Sequence, residues 1–410
     1  MRRWLLAVLL FIACPGCSRT PPPETARPYV LLVSLDGFRH DYADLYGAPN
    51  LKRFGDQGVH AKAMIPVYPS ATFPSHYSII TGLYPEHHGI VNNAFFDPQR
   101  NGGYRYSDPA TGGDGSWYGG TPLWVLAEQQ GVRAASFYWP GSDVAIHGVR
   151  PNRFRPYDES VPNADRVRQV IEWFQLPEPV RPHLVTMYFS DVDTAGHLYG
   201  PSAPETEQAV ANLDTVVGTL LQGLEATRLP INVFILSDHG MLEVQQSVSI
   251  GRASEFKDFV IAPQEGSQIM LYSADEKHNA EVAELLKARD TRFATYLRRE
   301  TPPQLHYRDN WRIGDIVVMA TSPVNLRIDG SGAVPAPERG NHGYDPHQFP
   351  EMRGIFYARG PDLKRGITLD AFENVNVYRL IARLLRLKPP AGLDGTDKLF
   401  SILKDQPAAK

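Results

Sequence analysis

The chain has 410 residues, 42% of them apolar and 21% charged, which is enough for one large core and too evenly mixed for long disorder. A net charge of −4 supplies no basic field for holding long nucleic acid, although metal ions could still bring local positive charge to a small phosphate-bearing substrate. Both cysteines, Cys14 and Cys17, fall near the N-terminus, so the body has no disulfide or thiolate chemistry and can offer a metal only oxygen and nitrogen donors.

Arg2 and Arg3 precede an apolar run from Trp4 to Ala13, which is too short for a permanent bilayer span. Residues 1–17 therefore read as an export signal. Ala13-Cys14 and Gly16-Cys17 faintly resemble a lipoprotein cleavage box, so the expected location is exported and periplasmic, with a lipid anchor left open. Residues 18–28, rich in proline and polar groups, read as a flexible tether.

The body starts at Tyr29. Tyr29–Leu35 is an apolar run that stops at Asp36-Gly37, the pattern of a buried parallel strand feeding a turn. The same design recurs over residues 134–139, 183–189, 231–236 and 354–358. Helical patterns lie between the runs, at 49–57, 123–130, 205–225 and 376–387. Strands alternating with helices predict an α/β protein with a mainly parallel sheet, whose site forms beyond the carboxyl ends of the strands. Residues 243–335 are less regular, with strand-like runs at 268–272 and 315–320, and read as an insertion or minor lobe within a catalytic domain spanning 29–400.

The chemistry-bearing residues gather at the strand ends and in glycine-flanked loops. In chain order they are Asp36, Thr72, Asp193, His197, Asp238, His239 and His342. Three carboxylates, three histidines and one hydroxyl match the inventory that two zinc ions need, whereas magnesium or calcium would favour oxygen-only cages. The four-residue spacing of Asp193 and His197 puts both on one face if that segment is helical. Thr72 opens a helix at Phe73-Pro74, where the dipole favours a phosphoryl anion. Metal contact lowers the pKa of a bound water from 15.7 to about 7 and should likewise activate a bound alcohol.

The motifs Ser34-Leu35-Asp36-Gly37-Phe38-Arg39, Pro69-Ser70-Ala71-Thr72-Phe73-Pro74-Ser75-His76, Thr81-Gly82-Leu83-Tyr84-Pro85-Glu86-His87-His88-Gly89, Asp193 to Gly200, Ser237-Asp238-His239-Gly240 and Asn341-His342-Gly343 resemble the nucleotide pyrophosphatase/phosphodiesterase family of the alkaline phosphatase superfamily. The resemblance spans residues 29 to about 400. It implies an alkaline-phosphatase-like sheet flanked by helices. It also implies one zinc on Asp36, Thr72, Asp238 and His239, and a second on Asp193, His197 and His342. Thr72 would be the nucleophile, and Asn93 would donate to a phosphate oxygen. His76, His87 and His88 are read as structural, and Asp191 as a competitor that the family register disfavours.

A threonine nucleophile with no arginine close behind it favours a diester over a monoester. Phe73, Tyr157 and Tyr188, with Trp139, are the aromatics available to wall a base, and Tyr157 matches a position where nucleotide-selective relatives stack one. The expected reaction is hydrolysis of nucleotide phosphodiester or pyrophosphate bonds to 5′-monophosphates. A choline- or phospholipid-headgroup phosphodiesterase, a superfamily monoesterase and a non-catalytic nucleotide-binding protein stay as alternatives. No nucleic-acid or protein partner is implied, and a membrane only through a lipid anchor.

Overall fold

The computed structural model describes residues 27–331 and 339–404. The expected export signal, and the expected tether up to residue 26, lie outside the described residues. An eight-stranded sheet runs in the order Ile367–Leu369, Val59–Ala61, Phe356–Arg359, Ile231–Leu236, Tyr29–Leu35, Leu184–Phe189, Ala134–Phe137 and Arg153–Arg155. Tyr29–Leu35 sits between two parallel neighbours. Phe356–Arg359 runs against both of its neighbours, so the last apolar run presents its amino end where the others present their carboxyl ends.

The central strand is continuously apolar because both of its faces are buried. Val30 and Leu32 join a core that includes Tyr77, Ile79 and Ile80 of the helix Thr72–Thr81. Leu31, Val33 and Leu35 face the opposite core, where the helix Pro204–Thr227 lies. That helix buries Val210, Leu213, Val217, Leu220 and Leu224, a stripe at the three- and four-residue spacing of one helical face.

Between Ile231–Leu236 and Phe356–Arg359 the chain leaves the main sheet. It builds a four-stranded antiparallel sheet from Val260–Ile261, Gln268–Tyr272, Ile316–Ala320 and Phe293–Leu297. The helix Glu276–Lys287 covers one face with Val282, Ala283 and Leu286, alongside Ile269 and Leu271. Met270, Tyr272, Val317 and Met319 point the other way into the main core, so the two sheets share apolar contacts. A parallel pair, Gln246–Arg252 with Val324–Asp329, borders this sheet. Arg312 ties the region to the hairpin Ala94–Asp97/Gly102–Arg105 through Asp97 at 2.9 Å. No helix among the described residues is long and apolar enough to cross a membrane.

Candidate active site

Five separate segments bring the predicted donors together. Asp36 follows the central strand, and its backbone N–H donates to the Phe189 carbonyl at 2.9 Å. Gly37 then turns the chain at φ +66, and a Cβ there would meet Asp193 Cα at 2.8 Å, so only glycine lets the two acidic segments approach. Asp193 and His197 lie one turn apart on the helix Asp191–Tyr199. Asp238 and His239 follow Ile231–Leu236, and His342 follows the short strand Gly340–Asn341. Thr72 opens its helix after Ala71 in extended conformation.

The three histidines are set alike. Nδ1 of His239 lies 2.9 Å from the Gly240 carbonyl, Nδ1 of His197 lies 3.1 Å from the Gly340 carbonyl, and Nδ1 of His342 lies 3.2 Å from the Ser70 carbonyl. A carbonyl only accepts, so each Nδ1 carries the proton and each Nε2 keeps its lone pair. His239 Nε2 faces Asp238 Oδ2 at 3.0 Å, Asp36 Oδ1 at 3.4 Å and Thr72 Oγ1 at 3.3 Å. His197 Nε2 and His342 Nε2 lie 3.4 and 3.7 Å from Asp193 Oδ1. The His239 and His342 rings stack at 3.8 Å and join the two halves.

Those carboxylate oxygens, Asp36 Oδ1, Asp193 Oδ1 and Asp238 Oδ2, are buried without a hydrogen-bond donor. Acceptors face acceptors, a pattern that only protons or cations relieve. Two groupings fit a metal ion: Asp36, Asp238 and His239, and Asp193, His239 and His342. A mixed nitrogen and oxygen donor set of this kind suits zinc. The sequence division of ligands differs at one point, because His239 borders both groups while His197 reaches the second through Asp193.

The electrostatics divide the acids. Burial, then the charges of Asp238 and Asp193, push Asp36 well above the usual carboxylate range. Burial pushes Asp193 in the same direction, but a proton taken up at Nε2 of His197, and then of His342, outweighs it and holds the group at about 2. Asp238 is likewise held low by His239 and His76 against its burial.

Tyr188 departs from its expected place as a substrate wall. It is buried, and its hydroxyl donates to Asp36 Oδ2 at 2.5 Å. Trp139 is also core, its ring edge-on to His76 at 5.2 Å. Asp191 turns aside to accept from Asn163 Nδ2 at 2.8 Å. Asn93 Oδ1 accepts the Phe73 N–H at 2.9 Å, and its NH2 group has no hydrogen-bond partner among the described residues. Phe73 stacks on Tyr106 at 4.6 Å, a residue that the sequence reading did not single out. Tyr157 is half-exposed, with its ring against Tyr138 and Tyr188. His76, read as structural, has Nδ1 2.8 Å from the Thr72 carbonyl and 3.2 Å from Asp238 Oδ2, and Nε2 2.8 Å from Ser34 Oγ, so it ties the first turn of the Thr72 helix to the central strand. Its position one turn after Thr72 was the available signal.

A metal-suited cup of acids and histidines around one hydroxyl, at the mouth of a mainly parallel sheet, defines the alkaline-phosphatase-like class of α/β fold. Residues 30–345 match the family model described as type I phosphodiesterase / nucleotide pyrophosphatase, and the chain belongs to that family. It is 35% identical over 412 residues to human ectonucleotide pyrophosphatase/phosphodiesterase family member 1, covering 96% of this chain and 43% of the relative. It is 36% identical over 414 residues to a venom phosphodiesterase of Crotalus durissus collilineatus, covering 96% and 48%. The chain thus spans less than half the length of these curated relatives. Murine ectonucleotide pyrophosphatase/phosphodiesterase 5 superposes with a TM-score of 0.85 at 30% identity, covering 92% of this chain and 100% of that one. An inactive threonine-to-alanine variant of that murine protein has been solved in complex with AMP, and it superposes with a TM-score of 0.85 at 29% identity, covering 92% and 100%.

Proposed function

We propose that the chain hydrolyses phosphodiester and pyrophosphate bonds in nucleotides to nucleoside 5′-monophosphates, with Thr72 as nucleophile. The observation that carries this is the gathering of donorless carboxylate oxygens and histidines into two adjoining groups that share His239, whose Nε2 lies 3.3 Å from the Thr72 hydroxyl. In this reading two zinc ions bind, one on Asp36, Thr72, Asp238 and His239, the other on Asp193, His197 and His342. When bound, zinc supplies Lewis acidity that lowers the pKa of a bound hydroxyl and neutralises charge developing on phosphate oxygens.

The chain's own residues do the rest. Thr72 Oγ1, at the amino end of its helix, gives up its proton to solvent and attacks phosphorus; the Thr72–phosphorus bond forms as the bond to the leaving group breaks, and the leaving group departs with the bonding electron pair. Water then attacks the same phosphorus, releases the nucleotide and returns the proton to Thr72. Asn93 keeps its NH2 group for a non-bridging oxygen because Phe73 holds its carbonyl. Phe73, backed by Tyr106, offers a flat apolar face for a base, with Tyr157 as the second aromatic wall. Tyr188 supports Asp36 instead of touching substrate. We assign residues 29–400 to one catalytic domain carrying an insertion over 243–335, and residues 1–17 to export into the periplasm.

Turnover of a nitrophenyl nucleotide diester against nitrophenyl phosphate tests the reading, with Thr72→Ala as control. The diester is expected to be preferred, and Thr72→Ala to lose at least about a thousandfold in kcat while keeping its zinc. A clear preference for the monoester, or an active Thr72→Ala protein, refutes it.

A further inference from the structure

Every strand of the main sheet except Phe356–Arg359 points the same way, so the amino ends of the others share one pole of the molecule. Asp36, Asp193 and Asp238 follow the carboxyl ends, at the opposite pole. The central strands are six or seven residues long, which sets the poles roughly 20 Å apart.

The segments at the amino ends are basic and touch one another. Arg27 donates to the Leu385 carbonyl, just past the helix Val377–Leu384. Lys388 exchanges backbone hydrogen bonds with the Gln130 side chain at 2.8 and 2.9 Å. Arg133, three residues on, donates to the Pro179 carbonyl at 3.0 Å, and Arg181 to the Tyr29 hydroxyl at 3.0 Å. Carbonyl and hydroxyl partners leave the charge of each guanidinium uncancelled. The strand-entry segments 27–28, 57–58, 130–133, 148–152, 176–183, 228–230 and 360–366, with the helix exit 385–388, hold nine arginines and lysines against two acids, Glu178 and Asp362, an excess of seven positive charges. Acids on the flanking elements are matched: Glu225 pairs with Arg359 at 2.6 Å, and Asp56 and Glu128 are offset by Arg53 and Arg383. Residues 18–26 and 405–410 each carry one basic and one acidic side chain, so they change nothing. The chain as a whole stands at −4, so its charge is segregated, with one cationic pole on an otherwise acidic molecule.

The chemistry of this pole fits a lipid surface better than a nucleic acid. Single strands are held by aromatic faces beside the cations, and the exposed aromatics Tyr106, Tyr157, Tyr199 and Trp311 belong to other segments. The large apolar side chain exposed here, among the described residues, is Val180, next to Arg181. A bilayer of anionic headgroups asks for clustered positive charge and tolerates a shallow aliphatic contact. We propose that this pole is a docking surface for an anionic phospholipid bilayer, with Thr72 turned away from the lipid. The apolar run Trp4 to Ala13 belongs to the chain end that joins the body here, at Arg27, so any attachment through it would draw this face, and not the site, to the membrane.

Full-length protein is sedimented with vesicles of phosphatidylcholine alone and with vesicles containing about 30% phosphatidylglycerol, in about 0.1 M and about 0.5 M salt. Each basic residue at an anionic surface strengthens binding roughly fivefold, so the anionic vesicles are expected to bind at least tenfold more tightly at low salt, and the difference to vanish at high salt. Neutral vesicles set the baseline for attachment through residues 1–17. Arg133→Glu with Arg383→Glu and Lys388→Glu should abolish the preference. Lys257→Glu with Lys277→Glu and Arg299→Glu, exposed on the lobe, changes the net charge equally and should keep most of it. Thermal midpoints show that both variants fold, and the outcome stands whether or not the protein turns over nucleotides. Equal binding to the two vesicles at low salt, a preference that survives the reversal at the pole, or one lost equally in the lobe variant overturns the proposal. A DNA duplex that binds the same face as tightly as the anionic vesicles overturns the assignment to lipid.

Discussion

Replacing Tyr188 by phenylalanine removes one oxygen atom and should weaken zinc binding while leaving the fold intact. The hydroxyl lies 2.5 Å from Asp36 Oδ2, and the Asp36 charge together with burial raises the tyrosine far above its usual pKa, so it stays a donor. By occupying Oδ2 it fixes the carboxylate with Oδ1 towards His239 Nε2 at 3.4 Å. Without the hydroxyl, Asp36 can rotate, and a group already pushed upward by burial loses an interaction that lowers its pKa. Both effects oppose the ionised, correctly aimed ligand. A hydrogen bond to a charged group contributes about 1.5–3 kcal/mol, and loss of an outer-shell partner costs about 10–100-fold in metal affinity, so the two scales agree. Zinc affinity is read by competition with a chelator of known strength, and thermal unfolding is followed with and without metal. A Tyr188→Phe protein that binds zinc within twofold of the parent would refute the reasoning, because the carboxylate would then be positioned by something else.

Two further outcomes concern stability. Arg312 donates to Asp97 Oδ2 at 2.9 Å, the Gly89 carbonyl at 2.9 Å and the Trp117 carbonyl at 2.7 Å, so Arg312→Met strands a buried carboxylate and should cost about 3 kcal/mol in denaturant unfolding. A cost under about 1 kcal/mol would mean that water or Arg100 replaces the pair. His88 accepts the Ile90 N–H at Nδ1, at 3.1 Å, and burial lowers its pKa to about 3. The unfolded chain therefore takes up this proton first. The stability tied to His88 is complete above about pH 6.5 and falls by up to about 1.4 kcal/mol per unit as pH drops towards 3. His88→Gln should flatten the slope of unfolding free energy between pH 6 and 4, and an unchanged slope would count against a neutral His88.

The central strands were legible because burial on both faces makes them unbroken apolar runs; Tyr29–Leu35 and Ile231–Leu236 have the bounds the sequence suggests. The helices Asn163–Gln175 and Glu276–Lys287 were not read, because their exposed faces mix charge with short apolar stripes. The partnership of Gln246–Arg252 with Val324–Asp329 leaves no linear trace, since no local turn joins the two strands. The site divides the same way. Its ligand candidates announce themselves through acidic and histidine residues beside glycine. Tyr106 does not, because it reaches Phe73 only after the hairpin folds back and its N–H bonds the Asn93 carbonyl at 3.1 Å. Tyr188 looked like a wall residue from its strand-end position. Its use is set by a register that places it beside Ser34, one residue from Leu35 and two from Asp36.

That register also shows why metal and fold belong to one equilibrium. The carbonyls that fix the three imidazoles come from Ser70, Gly240 and Gly340, which lie before the helix Thr72–Thr81, after a central strand and beyond the lobe. Each ring is therefore aimed only when its own region of the chain is seated. Once all are seated, three carboxylates and three lone pairs crowd into a buried cup, and one acid, Asp36, is driven towards its protonated form. A cation entering the cup displaces that proton and relieves the repulsion. Part of its binding free energy therefore becomes folding free energy. An architecture that concentrates acceptors in this way is least stable when empty, so the same contacts that gather beside Thr72 bind the sheet, the helix Thr72–Thr81 and the lobe to one another.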